Sequence, residues 1–117
     1  MFADAHCDTI TKILDNNEML FTNSGHIDLK RIKNCGCCLQ FFAVWISPEY
    51  ENNALDRFNA AADKFYNEVS KNNIKVVKKA DDIICDRFCA LLTVEGGSVY
   101  DPRAEGTLLQ RSRLHTP

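Results

Sequence analysis

The chain lacks an apolar run long enough to cross a membrane as a helix. Its most apolar segment, CCLQFFAVWI at residues 37–46, contains ten residues, whereas a membrane-spanning helix needs about 20. The N-terminus also lacks the basic region and apolar stretch that are typical of a signal peptide. We therefore expect a protein with no membrane segment and a cytoplasmic location.

The sequence also has little net charge and little glycine or proline. The formal charge at pH 7 is -2, so no excess of either sign would attract nucleic acid or an anionic membrane. Five glycines, three prolines, 45% hydrophobic and 26% charged residues are typical of a globular protein. At 117 residues the chain is long enough for one modest domain and too short for two.

Cysteine is present six times, but the chain has no pair of C-x-x-C motifs, the usual mark of a structural zinc site. Without a sign of secretion, the even count does not indicate disulfides. We interpret the cysteines as free, mostly buried thiols that act as small apolar residues. The cluster CGCC at residues 35–38 leaves a second interpretation open, in which a cysteine-containing module without catalytic activity binds a partner or a metal.

The hydrophobic pattern predicts strands that alternate with helices. Apolar residues at Leu55, Phe58, Ala62, Phe65 and Val69 recur every three or four positions and indicate an amphipathic helix. Such alternation is typical of parallel strands joined by right-handed crossovers, so we predict an α/β fold. The predicted elements are a strand in 1–8, a short helix in 9–17, another in 28–36 with Asp28 as its N-cap, a buried strand at 37–46, the long helix at 53–73, an extended piece and a helical turn in 74–84, and a third strand at 88–97.

Acidic and histidine side chains stand at the predicted ends of two strands. In the first segment, DAHCDT, Asp4, His6 and Asp8 occur at alternate positions, so on a strand they would share one face. Glu95 ends the third strand and precedes two glycines. Parallel strands bring their carboxyl ends to one rim, where ligands bind in α/β folds. His6, Asp8 and Glu95 therefore form a candidate zinc site, although an H-x-D motif also occurs in ordinary polar turns.

Gln40 is a polar residue inside the otherwise apolar second strand. Two interpretations are equally open: its side chain hydrogen-bonds backbone groups within the core, or it points into a site.

Three segments in order, DAHCDT, HIDLKRIKNCGCCLQFFAVWI and LLTVEGG, resemble the N-terminal third of the membrane dipeptidases, a family of zinc peptidases. The resemblance implies a TIM-like (β/α)8 barrel with parallel strands, and two zinc ions (Zn2+). It also implies that His6 and Asp8 bind the first ion, that Glu95 bridges both, and that a zinc-activated hydroxide hydrolyses dipeptides. Other amidohydrolase-type metal hydrolases are the alternative, but they usually open with H-x-H.

The resemblance also implies that the barrel is incomplete in this chain. Residues 1–100 would form its N-terminal portion, and residues 101–117, which contain arginine but no lysine, would be a loosely ordered tail. The histidines of the second metal and the residues that bind the substrate carboxylate would lie on later strands, and we do not expect His26 or His115 to replace them. We expect a chain that is inactive alone and whose apolar strands are exposed unless another chain covers them. A homo-oligomer is one such assembly.

Overall fold

A four-stranded sheet forms the centre of the protein in a computed structural model, which describes residues 2–84 and 86–95. Two short 3-10 helices, at Pro48–Asn53 and Ala80–Asp82, accompany the strands and the α-helices. In chain order these are β1 (Phe2–Asp4), α1 (Thr9–Asp15), α2 (Leu29–Ile32), β2 (Cys37–Trp45), α3 (Ala54–Lys71), β3 (Lys75–Val76) and β4 (Cys89–Glu95).

The strands lie in the order β1-β2-β4-β3, and every neighbouring pair is parallel. β2 pairs with β4 along most of its length, from Leu39 opposite Cys89 to Trp45 opposite Glu95. The short β3 covers only the beginning of β4. The predicted parallel α/β fold is confirmed, and so is the extended piece followed by a helical turn within residues 74–84.

Helices α1 and α3 cover one face of the sheet and form the main core with it. The Phe65 ring of α3 is fully buried and lies 5.6 Å from the Phe42 ring of β2, measured between ring centroids. The predicted apolar stripe of α3 is buried from Phe58 to Val69, but its first turn uses Ala54 rather than Leu55. Burial of this stripe, more than helix propensity, holds α3 on the sheet.

The opposite face of the sheet has a smaller buried cluster around Leu39, Val77 and Cys89. Phe41 and Leu91 on this face are only partly buried, and Trp45 at the end of β2 is 49% exposed. This second face is the one on which the candidate site lies.

Several predicted boundaries differ from the structure. The first strand ends at Asp4 rather than near residue 8, and α2 ends at Ile32 because a turn precedes Gly36, whose φ is 80°. Asp28 caps α2 as predicted, since its side chain accepts a hydrogen bond from the Arg31 backbone N–H. Residues 96–117, which include the two glycines, His115 and the predicted tail, lie outside the described residues. Among residues 2–84 and 86–95, no helix combines the length and the apolar character needed to cross a bilayer.

Candidate metal centre

The chain between β1 and α1 contains one residue more than the strand beside it. Asp4 lies opposite Gln40 in the sheet. Farther along, the Cys7 N–H donates to the Phe41 carbonyl at 3.1 Å, and the Cys7 carbonyl accepts from the Ala43 N–H at 2.9 Å. Cys7 therefore lies opposite Phe42. The chain advances three residues from Asp4 to Cys7, whereas β2 advances only two from Gln40 to Phe42. The extra residue is a bulge, and it reverses which side chains face the helices.

The bulge turns Cys7 into the helix-covered core and leaves His6 and Asp8 on the opposite face. Burial raises the pKa of the Cys7 thiol, which favours its neutral form. The expectation that Asp4 shares a face with His6 and Asp8 is wrong, because the bulge interrupts the alternation of the strand. Asp4 instead accepts a hydrogen bond from the buried Gln40 side chain at 2.9 Å.

Glu95 completes a group with His6 and Asp8, as the sequence indicated. The His6 Nε2 atom is 3.2 Å from Asp8 Oδ1 and 3.8 Å from Glu95 Oε2, and one ligand atom from each residue lies within 4.8 Å of the other two. Each side chain is about half exposed. Within residues 2–84 and 86–95, this is the only group of three or more histidine, cysteine or acidic residues with such geometry.

The donor atoms of this group fit a divalent metal ion. Zinc binds imidazole nitrogen at about 2.0–2.1 Å and carboxylate oxygen at about 2.0–2.2 Å, so the ligand atoms of one ion lie roughly 3–4 Å apart. The two separations involving His6 Nε2, 3.2 and 3.8 Å, fall in this range, and the Asp8 and Glu95 side chains that would complete the ligand set are half exposed. One imidazole and two carboxylates suit zinc and similar transition metals.

A cavity of about 470 Å³ extends from the group along the carboxyl ends of the strands. Its volume is typical of a site for a small molecule. The charged side chains around it are mostly acidic, a balance that favours a cation. The lining residues include Lys12, Asp15, Trp45, Glu49, Tyr50 and Arg57.

Arg57 fixes the far wall of this cavity. Its guanidinium donates to both carboxylate oxygens of Asp15, at 2.6 and 2.8 Å, and lies 4.5 Å from the centroid of the Tyr50 ring. The hydrogen bonds to Asp15 raise the pKa of Arg57 further above its ordinary value. This pairing joins the end of α1 to α3, so the wall rests on two helices.

Sequence reasoning missed the rest of this cavity. Trp45 lies opposite Glu95 in the sheet. The sequence alone does not give the register between β2 and β4, so it did not indicate that Trp45 lies next to the site. Lys12 and Tyr50 carry no motif. His26 lines an adjacent cavity of about 340 Å³, which His6 and Asp8 also line, and it lies outside the ligand group.

The cysteines of the CGCC cluster form no metal group in the described part of the chain. The Cys35 thiol donates to the Ile32 carbonyl and the Cys37 thiol to the Leu39 carbonyl, both at 3.3 Å. The five described cysteines are free, and three of them are buried. The geometry therefore favours free thiols over a cysteine-based metal site.

An imidazole and two carboxylates at the carboxyl-end rim of a parallel sheet are typical of the metal-dependent enzymes built on α/β barrels. The chain belongs to the membrane dipeptidase family, peptidase family M19, whose family model matches residues 1–113. The comparison with curated proteins finds no match.

Among solved structures, this chain is similar to the dipeptidase AC, described as a metallopeptidase of family M19. The two share 21% sequence identity at a TM-score of 0.71, over 94% of this chain and 41% of the other. The likeness shows that the described sheet has the fold of part of a TIM-like barrel. The chain thus spans about two fifths of the length of that relative.

Proposed function

We propose that His6, Asp8 and Glu95 are metal ligands of a dipeptidase, and that the chain carries one part of its zinc site. The observation that supports this most directly is the convergence of the three side chains within 4.8 Å, from segments at opposite ends of the described sequence. Membership of a metallopeptidase family gives the site its most direct chemical interpretation.

The three ligands have separate roles in this proposal. His6 and Asp8, in the segment between β1 and α1, would hold the first ion, and Glu95, at the end of β4, would contribute its carboxylate to both ions. When bound, zinc lowers the pKa of a coordinated water toward 7 and polarises a carbonyl. The ligand group contains a single imidazole, so we propose that a second ion needs ligands beyond this group.

The cavity beside the group suits a dipeptide. The exposed Trp45 ring offers an apolar surface next to the ligands. The Arg57–Asp15 pair keeps the far wall in place. We propose hydrolysis of a dipeptide peptide bond as the reaction to which this site contributes.

Two measurements test the proposal. Titration of the purified chain with Zn2+ by isothermal calorimetry gives affinity and stoichiometry. Because we expect the chain to be inactive alone, release of free amino acids from a panel of dipeptides serves to show whether any hydrolysis that it supports requires the proposed ligands. We expect the wild-type chain to bind zinc and the His6→Ala and Glu95→Gln variants to bind it far more weakly. Absence of zinc binding by the wild type, or dipeptide hydrolysis that persists in the variants, would contradict the proposal.

A further inference from the structure

Gln40 is almost completely buried, at 1% exposure, although it carries a polar amide. It lies on the helix-covered face of the sheet, beside Ala90 of the main core. Its side chain therefore does not point into the candidate site, which excludes one of the two interpretations that the sequence left open. A buried amide needs hydrogen-bond partners, because an unpaired one destabilises the fold.

The Gln40 side-chain amide contacts both ends of the bulge. Its Nε2 atom is 2.9 Å from Asp4 Oδ2 and 3.4 Å from the Asp4 carbonyl oxygen, at the last residue of β1. The same atom is 3.2 Å from the Phe41 carbonyl oxygen, which also accepts the Cys7 N–H that closes the bulge. One side chain thus connects the residues that flank Ala5 and His6.

Asp4 extends this connection to the proposed ligand itself. While Asp4 Oδ2 accepts from Gln40, Asp4 Oδ1 lies 3.5 Å from the backbone nitrogen of His6, a long hydrogen bond. The chain of contacts therefore runs from the core, through a carboxylate, to the backbone of the residue whose imidazole faces the site. An apolar residue at position 40 would fill the core without holding Asp4.

We propose that Gln40 is a positioning residue for His6, acting through Asp4 to fix the bulge that directs the imidazole to the metal site. This inference rests on the proposed function, because it assumes that His6 binds the metal. Residues that orient metal ligands from outside the coordination sphere typically change metal affinity about 10- to 100-fold when they are replaced.

The first test compares Zn2+ affinity in the Gln40→Leu and Val69→Ala variants. Val69 is buried in α3, in the same core but outside the contacts of the bulge, so its replacement lowers stability without touching the site. We expect Gln40→Leu to bind zinc about 10- to 100-fold more weakly than the wild type, and Val69→Ala to bind it normally. Equal zinc affinity in the wild type and a folded Gln40→Leu variant would overturn the inference.

A second test needs no metal, so it separates failure of this inference from failure of the proposed function. Amide hydrogen exchange at His6 and Cys7 reports the hydrogen bonds of the bulge directly. We expect faster exchange at both amides in Gln40→Leu than in Val69→Ala at matched global stability. Unchanged exchange overturns the role of Gln40, whereas absence of zinc binding by the wild type overturns the proposed function.

A third variant, Asp4→Ala, decides the matter should Gln40→Leu not fold. Asp4 is only partly buried at the last residue of β1, and alanine removes both carboxylate oxygens through which Gln40 is connected to the His6 N–H. We expect weaker zinc binding and faster amide exchange at His6 in Asp4→Ala than in the wild type. Wild-type zinc affinity and wild-type exchange in a folded Asp4→Ala variant would contradict the inference.

Discussion

His6 and Glu95 are 89 positions apart in the sequence, yet His6 Nε2 lies 3.8 Å from Glu95 Oε2. The two strands that deliver them, β1 and β4, are not neighbours but lie on either side of β2. Because all three strands are parallel, their carboxyl ends meet at one rim, and long side chains reach across the end of β2. The parallel direction of the strands therefore brings the ligands together, and the local sequence determines only that they are a histidine and two acidic residues.

His6→Ala should abolish most zinc binding by the chain. The imidazole is the only nitrogen ligand in the described group, so its loss should weaken zinc binding by more than the about 100-fold that typifies changes outside the coordination sphere. Calorimetric titration with Zn2+ measures the effect. His26→Ala is the matched control, since His26 lines the adjacent cavity outside the ligand group and should leave the affinity unchanged. Equal losses in both variants would contradict the assignment.

Glu95→Gln should lower the zinc content of the protein while retaining its fold. The amide keeps the shape of the side chain but removes the negative charge, so we expect affinity to fall by at least about tenfold, or about 1.4 kcal/mol. Elemental analysis after dialysis checks this. Where a second zinc ion is present and Glu95 bridges the two, the Glu95→Gln substitution should weaken the binding of both ions. Selective loss of one ion would refute bridging.

Glu49→Gln provides the control for that variant. Glu49 lines the same cavity and is also a carboxylate, but its partner is the Ser47 hydroxyl at 3.1 Å rather than the ligand group. Zinc content should remain at the wild-type level when its charge is removed. A similar fall in both variants would mean that general negative charge, rather than coordination by Glu95, attracts the ion.

Replacement of Cys35, Cys37 and Cys38 together by serine should leave zinc binding intact. None of the three joins a metal group among the described residues, and Cys35 and Cys37 donate to nearby backbone carbonyls. Zinc titration at matched protein concentration is the measurement. Loss of zinc from this variant, with binding retained in His6→Ala, would favour the cysteine-based module over the dipeptidase site.

Much of the fold could be predicted from the sequence because its largest elements carry strong periodic signals. The spacing of Phe58, Phe65 and Val69 predicted α3, and the apolar run before Trp45 predicted a buried β2. The parallel arrangement followed from the alternation of these elements. The juxtaposition of His6 with Glu95 followed from that topology in turn.

The details that the sequence did not reveal depend on register. An extra residue in one strand leaves no periodic trace, so nothing in the sequence indicated that the Asp4 side chain would hydrogen-bond Gln40 and lie on the face opposite the His6 imidazole. The cavity wall formed by Tyr50 and Arg57 depends on how a 3-10 helix packs against α3. Both features follow from contacts between segments rather than from any local pattern.

Phe65→Ala should destabilise the protein by about 3–5 kcal/mol, the usual cost of replacing a buried phenylalanine with alanine. The Phe65 ring has no exposed surface and contacts the rings of Phe42 and Tyr66. The distance between ring centroids is 5.6 Å to Phe42 and 5.1 Å to Tyr66. Urea denaturation measures the change in the free energy of unfolding. Phe21→Ala should cost far less, because that ring is 45% exposed. A comparable loss in both would contradict the core as described.

Asp28 should make the stability of the protein depend on pH in the acid range. Burial by itself would raise the pKa of Asp28, but hydrogen bonds from the Arg31 side chain and from the backbone of Arg31 and Asn23 outweigh it and lower the pKa. The folded state therefore favours the charged form more than the unfolded state, whose carboxyl titrates near pH 3.9. The resulting stabilisation is complete above that pH and is lost as the pH falls through the lower pKa of the folded protein.

Asp28→Asn tests this origin of the pH dependence. At pH 7 the variant should lose about 1.5–3 kcal/mol, the usual contribution of hydrogen bonds to a charged group. Its free energy of unfolding should then fall less between pH 7 and pH 3 than that of the wild type. Some dependence should remain, because hydrogen bonds from the Lys78 and Lys79 backbone also lower the pKa of Asp82. Urea denaturation at a series of pH values measures both profiles. Parallel profiles for the two proteins would show that Asp28 titrates alike in the folded and unfolded states. They would thus exclude the ion pair with Arg31 as a cause of the pH-dependent stability.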